Sequence, residues 1–259
     1  MRALLVALLG VAVLGVSLHN ARAAPALTDG GWAVVRQIID GATVVLADGR
    51  TVHLVGIEAP AMAMGDLPAQ PYARDTGSAL AQLVLERNVH LLLGAAAVDR
   101  YGWLQAHLYD SQGRWVQGEI LARGLARVHS LPDNRALVSE MLALEATARE
   151  ARVGLWVSPA YAVLSPEQTA QHLNGFAIVQ ARVVTTDTVD GRIYLNFGPD
   201  WRTDFTVSVS AQDARVFRAE RIDLLALAGR SVRVRGWLYS LNGPMIDVTH
   251  PEQIELLNE

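Results

Sequence analysis

Cysteine is absent from all 259 residues of the chain. The protein therefore forms no disulfide bond, carries no thiolate nucleophile and binds no zinc through cysteine sulfur. An anchor attached through an N-terminal cysteine is excluded for the same reason. Stability must come from packed hydrophobic cores alone, and 51% hydrophobic with 19% charged residues is the composition of an ordinary globular protein.

Lysine is also absent, so all 22 basic residues are arginines. This excludes Schiff-base chemistry and a phosphate-binding loop that uses lysine. The net charge is −4, and neither half of the chain is basic. Nonspecific binding to a phosphate backbone requires clustered cations, so the composition leaves room only for a small local basic patch.

The N-terminus has the pattern of a secretory signal peptide. Met1-Arg2 precedes an apolar run at residues 3–18, and a polar stretch ends in Ala21-Arg22-Ala23. We expect residues 1–23 to be removed by cleavage after Ala23, which predicts a periplasmic or secreted protein with no further membrane association. An uncleaved anchor is the alternative, and it is disfavoured because a spanning helix needs about 20 apolar residues.

The remainder divides into residues 32–156, a linker at 157–174 that contains two prolines, and residues 175–257. The first segment predicts a β-hairpin whose turn contains Asp48-Gly49, followed by further strands and amphipathic helices. Its predicted strands are 33–39, 43–46, 51–55, 89–93 and 105–109, and its predicted helices are 75–85, 116–123 and 137–151.

The second segment is rich in β-branched residues and predicts five short strands with one helix. The predicted strands are 177–185, 192–197, 204–209, 231–239 and 245–248, and the predicted helix is 213–227. One helix before the fourth of five strands is typical of a small OB-like β-barrel. The linker has no sustained period, and we expect at most one helical turn in it.

Motifs of the first segment occur in the order and spacing seen in the thermonuclease (staphylococcal nuclease) family, over about 125 residues. They are Ile39-Asp40-Gly41-Ala42-Thr43-Val44, His53-Leu54-Val55-Gly56-Ile57-Glu58-Ala59-Pro60-Ala61, Asp99-Arg100-Tyr101-Gly102-Trp103, Ile120-Leu121-Ala122-Arg123-Gly124-Leu125-Ala126 and Gly154-Leu155-Trp156. This resemblance implies a mainly β, α+β fold: a staphylococcal-nuclease-like OB barrel with packed helices. The OB-like β domain would follow it.

The resemblance also implies a catalytic plan that this sequence does not carry. The family uses carboxylate-bound Ca²⁺, a Glu acting on water and two Arg that clamp phosphate. Ala42 occupies a metal-ligand position, Glu58 a second one, and Ala61 the position of the catalytic Glu. His53 and Trp103 replace the two arginines. No residue is therefore assigned a catalytic role, and no cofactor is expected apart from a divalent cation.

Two further groups in this region have alternative interpretations. Asp40, His53 and Glu58 are either a weak metal site, for Ca²⁺ or a transition metal, or polar residues left from the family's site. Arg100 and Tyr101 either bind a phosphate or carboxylate, or Arg100 pairs with a nearby acid such as Asp99.

Trp103 is expected either to offer an aromatic face to a ligand or to fill, by packing, the cleft in which the family's nuclease site lies. Two methionines, Met62 and Met64, lie in the small-residue stretch 61–70, which we expect to form a loop beside that cleft.

Alternation in strand 231–239 places Arg233, Arg235 and Trp237 on one face. Such a face is a candidate platform for nucleic acid or another polyanion, because aromatic rings stack on bases and arginines hold phosphates. The alternative is a solvated face whose arginines pair with acids on neighbouring strands.

Two functional hypotheses follow from these patterns. The first is an exported, thermonuclease-like binding or scaffold protein with a degenerate nuclease site. The second is a metal-dependent phosphodiesterase that cleaves DNA or RNA through a rebuilt site. Nucleic acid and other polyanions are the candidate partners in either case, and the sequence does not identify the partner.

Overall fold

The computed structural model describes residues 27–257. The predicted signal peptide and its cleavage site lie outside these residues. Within them, no helix combines the length and the apolar character needed to cross a membrane.

Residues 27–150 form a barrel and three helices. In chain order the elements are β1 (Thr28–Ile38), β2 (Thr43–Leu46), β3 (Thr51–Leu54), β4 (Gly56–Glu58), α1 (Ala73–Val84), β5 (Asn88–Val98), β6 (Leu104–Asp110), α2 (Val116–Ala122), β7 (Arg127–His129) and α3 (Val138–Glu150). The barrel is closed in the order β1-β2-β3-β6-β5, which confirms the predicted OB-like architecture. The short strands β4 and β7 pair separately and were not predicted.

Buried side chains of the barrel strands and of one face of each helix share a single hydrophobic cluster. A buried glutamine, Gln117 on α2, ties the helices to the barrel. Its Oε1 accepts a hydrogen bond from the backbone of Leu108 at 3.1 Å, and its amide donates to the carbonyl of Ala106 at 2.9 Å. These bonds satisfy a polar group that would otherwise destabilise the core, and they fix α2 beside the strand end that leads to β4.

The motifs around Gly124 and Gly154 have a steric cause. Gly124 has φ +65°, and a Cβ built on it would lie 2.3 Å from the carbonyl oxygen of Val153. The amide of Leu155 donates to the Gly124 carbonyl at 2.8 Å. Two chain segments therefore touch backbone to backbone here, which only glycine permits.

After α3 come three 3-10 helices and a second strand-rich region. The elements are the 3-10 helices Gly154–Val157, Pro159–Tyr161 and Pro166–Gln171, then β8 (Gly175–Arg182), β9 (Thr185–Val189), β10 (Arg192–Asn196), β11 (Thr206–Val209), α4 (Asp213–Ala219), β12 (Ser231–Ser240), β13 (Pro244–Asp247) and β14 (Ile254–Leu256), with further 3-10 turns at Leu225–Leu227 and Pro251–Gln253.

These strands form one seven-stranded sheet ordered β14-β12-β13-β11-β10-β9, and β8 also pairs with β12. The prediction of a strand-rich region with one helix is confirmed. The small OB-like β-barrel predicted for it is not found, because in the described residues these strands form one sheet and the closed barrel is that of the first region. Two strands, β9 and β14, were not predicted. A second hydrophobic cluster, separate from that of the barrel, lies beneath this sheet.

The two halves are joined by buried polar contacts. Arg235 of β12 contacts Glu145 of α3 through both terminal nitrogens at 2.9 Å, and both side chains are almost fully buried. A second contact joins the Ser130 hydroxyl to the His250 ring at 2.7 Å. The second sheet thus packs against α3 and the segment that contains β7.

Candidate functional site

The candidate site lies where β3, β4 and the turn after β1 meet. On β3, His53 pairs with Thr43 of β2, and the ring nitrogen Nδ1 lies 3.3 Å from the threonine hydroxyl. Burial lowers the pKa of His53, and the nearby carboxylates of Asp40 and Glu58 oppose that shift without reversing it. The imidazole is therefore neutral at neutral pH, where the family resemblance implies a permanent positive charge.

The turn between β1 and β2 is built without a second carboxylate. Asp40 Oδ1 accepts a hydrogen bond from the Ala42 amide at 2.8 Å, so this carboxylate stabilises the turn itself. Ala42 is 4% exposed and belongs to the barrel core. Its methyl group offers no oxygen to a cation.

Glu58 faces a histidine that sequence reasoning missed. Strand β4 pairs with β7 in antiparallel register, with Gly56 opposite His129. His129 Nδ1 lies 3.3 Å from Glu58 Oε2. Only the three-residue pairing of β4 with β7 brings these two side chains together, and no motif in the sequence signals it.

The second half of the chain reaches the site through Phe176. Its ring centroid lies 5.0 Å from that of His129. Arg127 packs over both Phe176 and Tyr161, at 4.8 Å and 5.2 Å from their ring centroids, and donates to the Phe176 carbonyl at 2.8 Å. Arg127 is a buried structural cation, and burial lowers its pKa.

Asp99 organises the hairpin between β5 and β6. Its Oδ1 accepts hydrogen bonds from the backbone amides of Tyr101 at 2.8 Å and Trp103 at 2.9 Å. Arg100 lies over the Tyr101 ring at 4.9 Å, and no ion pair between Arg100 and Asp99 is found in the described part of the chain. The arginine is thus held by an aromatic face and not by the adjacent acid.

Trp103 is not a buried plug. It is 38% exposed, Tyr101 is 66% exposed, and their ring centroids are 5.9 Å apart. The hairpin therefore presents two aromatic faces to solvent. Of the two predicted roles, an accessible aromatic face is the one that this geometry permits.

The loop after β4 is held at its base. Gln70 Oε1 accepts a hydrogen bond from the Ala61 backbone amide at 2.9 Å, and the Gln70 backbone amide donates to the Ala61 carbonyl at 2.9 Å. Met64 and Leu67 form a small bridge at the tip and are 73% and 65% exposed. Ala61 has no group that can accept a proton from water.

Among residues 27–257, no group of three or more His, Cys, Asp or Glu side chains is arranged to hold a metal ion. Asp40 is engaged by its turn and Glu58 by His129. A metal site at Asp40, His53 and Glu58 stays a prediction.

The predicted face of β12 requires a correction. Arg235 is 1% exposed, so the expectation that it contacts a ligand is wrong: the face that alternation gives it packs against α3. Arg233 pairs with Glu255 of the neighbouring strand at 3.2 Å and donates to Gln180 at 2.7 Å. Only Trp237, which is 55% exposed, remains open to solvent.

Comparison with known proteins identifies the family that the first region resembles. Residues 51–158 match the model of the staphylococcal nuclease homologue family. Protein ParB of Escherichia coli is 36% identical over 143 residues, which are 49% of this chain and 76% of that protein. Staphylococcal-like nuclease CAN1 of Arabidopsis thaliana is 33% identical over 114 residues, covering 44% of this chain and 32% of that protein.

A probable endonuclease, LCL3 of Leptosphaeria maculans, is 30% identical over 116 residues, covering 42% of this chain and 38% of that protein. The chain thus spans three quarters of the first of these relatives and about a third of the other two. The matched residues 51–158 contain β3 to β7 and the three helices, but not β1, β2 or the turn that holds Asp40 and Ala42, and the second sheet lies beyond them.

Proposed function

This chain belongs to the staphylococcal nuclease family, and we propose that it is a member that binds a partner without cleaving phosphodiester bonds. One observation carries this proposal. The positions that in the family hold a metal ligand, a base and two phosphate-clamping cations carry Ala42, Ala61, His53 and Trp103.

The energetic consequence of these replacements is large. Loss of one transition-state donor costs about 10²–10³ in rate, or roughly 2.7–4 kcal/mol. Such losses are not additive, so the total loss is smaller than their sum. Non-additivity does not, however, supply the groups that are absent. Two alanines cannot bind a cation or accept a proton, and His53 is neutral because burial lowers its pKa.

Exposed apolar side chains of the first region support binding of a different kind. Tyr101 and Trp103 expose aromatic faces on the β5–β6 hairpin, and the loop tip after β4 exposes Met64 and Leu67. Exposed apolar patches are typical of surfaces that contact another molecule. We therefore propose that these side chains belong to the contact surface of a scaffold or binding module in the exported protein.

A second candidate is a phosphodiesterase with a rebuilt site. The observation that favours it is the contact between His129 and Glu58 at 3.3 Å, close to His53. A histidine–carboxylate pair can act as a general acid or base. Arg127 lies opposite Glu58 on β7, but its guanidinium is buried and already donates to the Phe176 carbonyl.

The two candidates are separated by incubating the chain from Ala24 onward with single-stranded DNA, double-stranded DNA and RNA. Each substrate is tested with Ca²⁺, Mg²⁺, Mn²⁺ and Zn²⁺. We expect no cleavage above a buffer control with any metal.

Metal-dependent cleavage that disappears in His53→Ala, Glu58→Ala and His129→Ala would establish the rebuilt site instead. His90→Ala is the matched control, because His90 lies on the barrel, stacks on Trp32 and bonds Asp29, away from these residues. Cleavage that persists in all four variants would indicate a contaminating nuclease.

Binding of nucleic acid or another polyanion is a separate proposal. On β12 it depends on Trp237, because Arg235 is buried and Arg233 is paired with Glu255. It predicts an affinity that falls steeply with salt, since counterion release drives such binding. Equal affinity at low and high salt would eliminate it. Export is tested by N-terminal sequencing of the protein recovered outside the cytoplasm, which should begin at Ala24.

A further inference from the structure

The second sheet contains a pocket that the nuclease resemblance does not explain. Its volume is about 610 Å³, within the range of sites that hold small organic molecules. Tyr194 and Asn196 of β10 form part of its floor, and Asp187 of β9 lies at one side. The lining also contains Trp201, on the loop after β10, and Leu241, in the turn before β13.

Strand register places the floor on one face of the sheet. Tyr194 lies directly opposite Asp187, and Asn196 lies directly opposite Thr206 of β11. Thr206 is in turn opposite Met245 of β13. Directly opposed residues project to the same side of a sheet, so these five side chains form a continuous surface.

Hydrogen bonding within the floor is already largely satisfied. Asn196 Nδ2 donates to Thr185 Oγ1 at 3.2 Å and to Asp187 Oδ2 at 2.9 Å. Its Oδ1 accepts from the Thr206 hydroxyl at 3.4 Å. The Asn196 side chain therefore has little hydrogen-bonding capacity left for a polyol such as a sugar.

The charge of the pocket favours a cation. Asp187 is the one ionisable carboxylate in the lining that the structure describes, and it is joined by no arginine there. Its Oδ2 accepts from Asn196, and no hydrogen bond to Oδ1 is found within residues 27–257. A phosphate or carboxylate ligand would therefore meet a negative charge without a compensating donor cation.

The nearby arginines are engaged elsewhere. Arg192 lies 3.6 Å from Asp247 and donates to Ser208. Arg202 lies over the Trp201 ring at 4.6 Å, with Asp200 at 3.9 Å. The Trp201 ring thus already attracts a guanidinium to one face, as the quadrupole of an indole predicts.

We propose that this pocket binds an organic cation, an ammonium or guanidinium group attached to an apolar body. The charged group pairs with Asp187 and lies against the rings of Tyr194 and Trp201, and the apolar body packs on Met245 and Leu241. The cation is supplied either as a free small molecule or as a basic side chain of a peptide, since both present the same chemistry.

Isothermal titration of the purified chain with choline and with 3,3-dimethyl-1-butanol tests whether binding requires the positive charge. The two compounds have the same shape, but the alcohol has a neutral carbon where choline has its charged nitrogen. We expect choline to bind about tenfold more tightly, the value of one favourable cation–aromatic contact. A third arm uses n-butylguanidinium, and a fourth compares an acetylated Gly-Arg-Gly amide with its citrulline counterpart. Binding of the arginine peptide but not of the free cations identifies a peptide source.

The variants assign the effect to this pocket. Asp187→Asn keeps the side-chain shape and should remove the preference for choline, and Trp201→Ala should weaken binding of every cation. Asp190→Asn is the matched control, because Asp190 is a carboxylate on the adjacent turn outside the lining.

Equal binding of choline and its neutral counterpart would overturn the proposal, as would no binding of any cation at millimolar concentration. Tighter binding of glucose or maltose than of choline would also overturn it. The result is independent of the nuclease assay, since the pocket lies in the second sheet.

Discussion

The contact between Arg235 and Glu145 offers a quantitative test of how the two halves are held together. Arg235 Nη1 lies 2.9 Å from Glu145 Oε2 and 3.1 Å from the Val128 carbonyl, and Nη2 also contacts Glu255. The arginine side chain is 1% exposed and that of Glu145 is 0% exposed. Both charges have therefore been removed from water and depend on each other.

Replacing Arg235 by Met keeps the volume of the side chain but leaves Glu145 with only the Val128 amide at 2.6 Å and Arg149 at 2.9 Å. Breaking a buried pair by removing one partner costs about 3–5 kcal/mol. Since Arg149 still compensates part of the charge, we expect a loss near the lower limit, about 3 kcal/mol.

Urea denaturation followed by circular dichroism measures this loss for Arg235→Met, Glu145→Gln and the double variant. The double variant should lose less than the sum of the two single losses, because neither charge is then left alone. Arg192→Met is the control: its partner Asp247 is 3.6 Å away and both side chains are about half exposed, so we expect a loss below about 1 kcal/mol. A loss below about 1 kcal/mol for Arg235→Met would refute the reasoning.

Three other outcomes follow from the structure. Burial lowers the pKa of His250 from 6.5 to about 3, so below pH 6.5 the unfolded chain binds a proton that the folded chain does not. This group should reduce stability by up to about 1.4 kcal/mol per pH unit as the pH drops from 6.5 towards 3, and His107, whose pKa burial lowers to about 4, should add to that slope. His250→Gln should reduce the slope in urea titrations at several pH values, and the part due to His107 should remain. Gly124→Ala should destabilise the fold by about 2 kcal/mol or more in thermal unfolding, because the added Cβ would lie 2.3 Å from a carbonyl oxygen. Gly113→Ala should destabilise it less, because Gly113 also has a positive φ but a Cβ there would meet nothing within 4 Å. Trp103→Ala should change thermal stability by less than about 1 kcal/mol, because the ring is 38% exposed, and a larger loss would indicate a packing role.

The barrel was predictable from the sequence because its signals are local. The turn at Asp48-Gly49 and the helical spacing of apolar residues in α1 and α3 specify those elements without knowledge of their neighbours. By contrast, β4 and β7 are three residues long, and only their mutual pairing makes them strands. Strand β9 has the sequence Thr-Thr-Asp-Thr-Val and is mostly exposed, so it lacks the apolar alternation that identifies a strand.

The site shows the same division between local and tertiary information. Alternation correctly placed Arg233, Arg235 and Trp237 on one face of β12. Nothing in the strand itself could reveal that α3 packs on part of that face and buries Arg235. His129 was missed because its role depends on a register between two short strands and on Phe176 from the other half of the chain.

The most direct test of the proposal that the nuclease site is inactive compares the native chain with a variant that restores the four family groups: Ala42→Asp, His53→Arg, Ala61→Glu and Trp103→Arg. Both proteins are incubated with single-stranded DNA and Ca²⁺, and cleavage is measured over the same range of enzyme concentration. We expect no cleavage by the native chain and Ca²⁺-dependent cleavage by the folded variant. Ca²⁺-dependent cleavage by the native chain, abolished in Glu58→Ala, would contradict it.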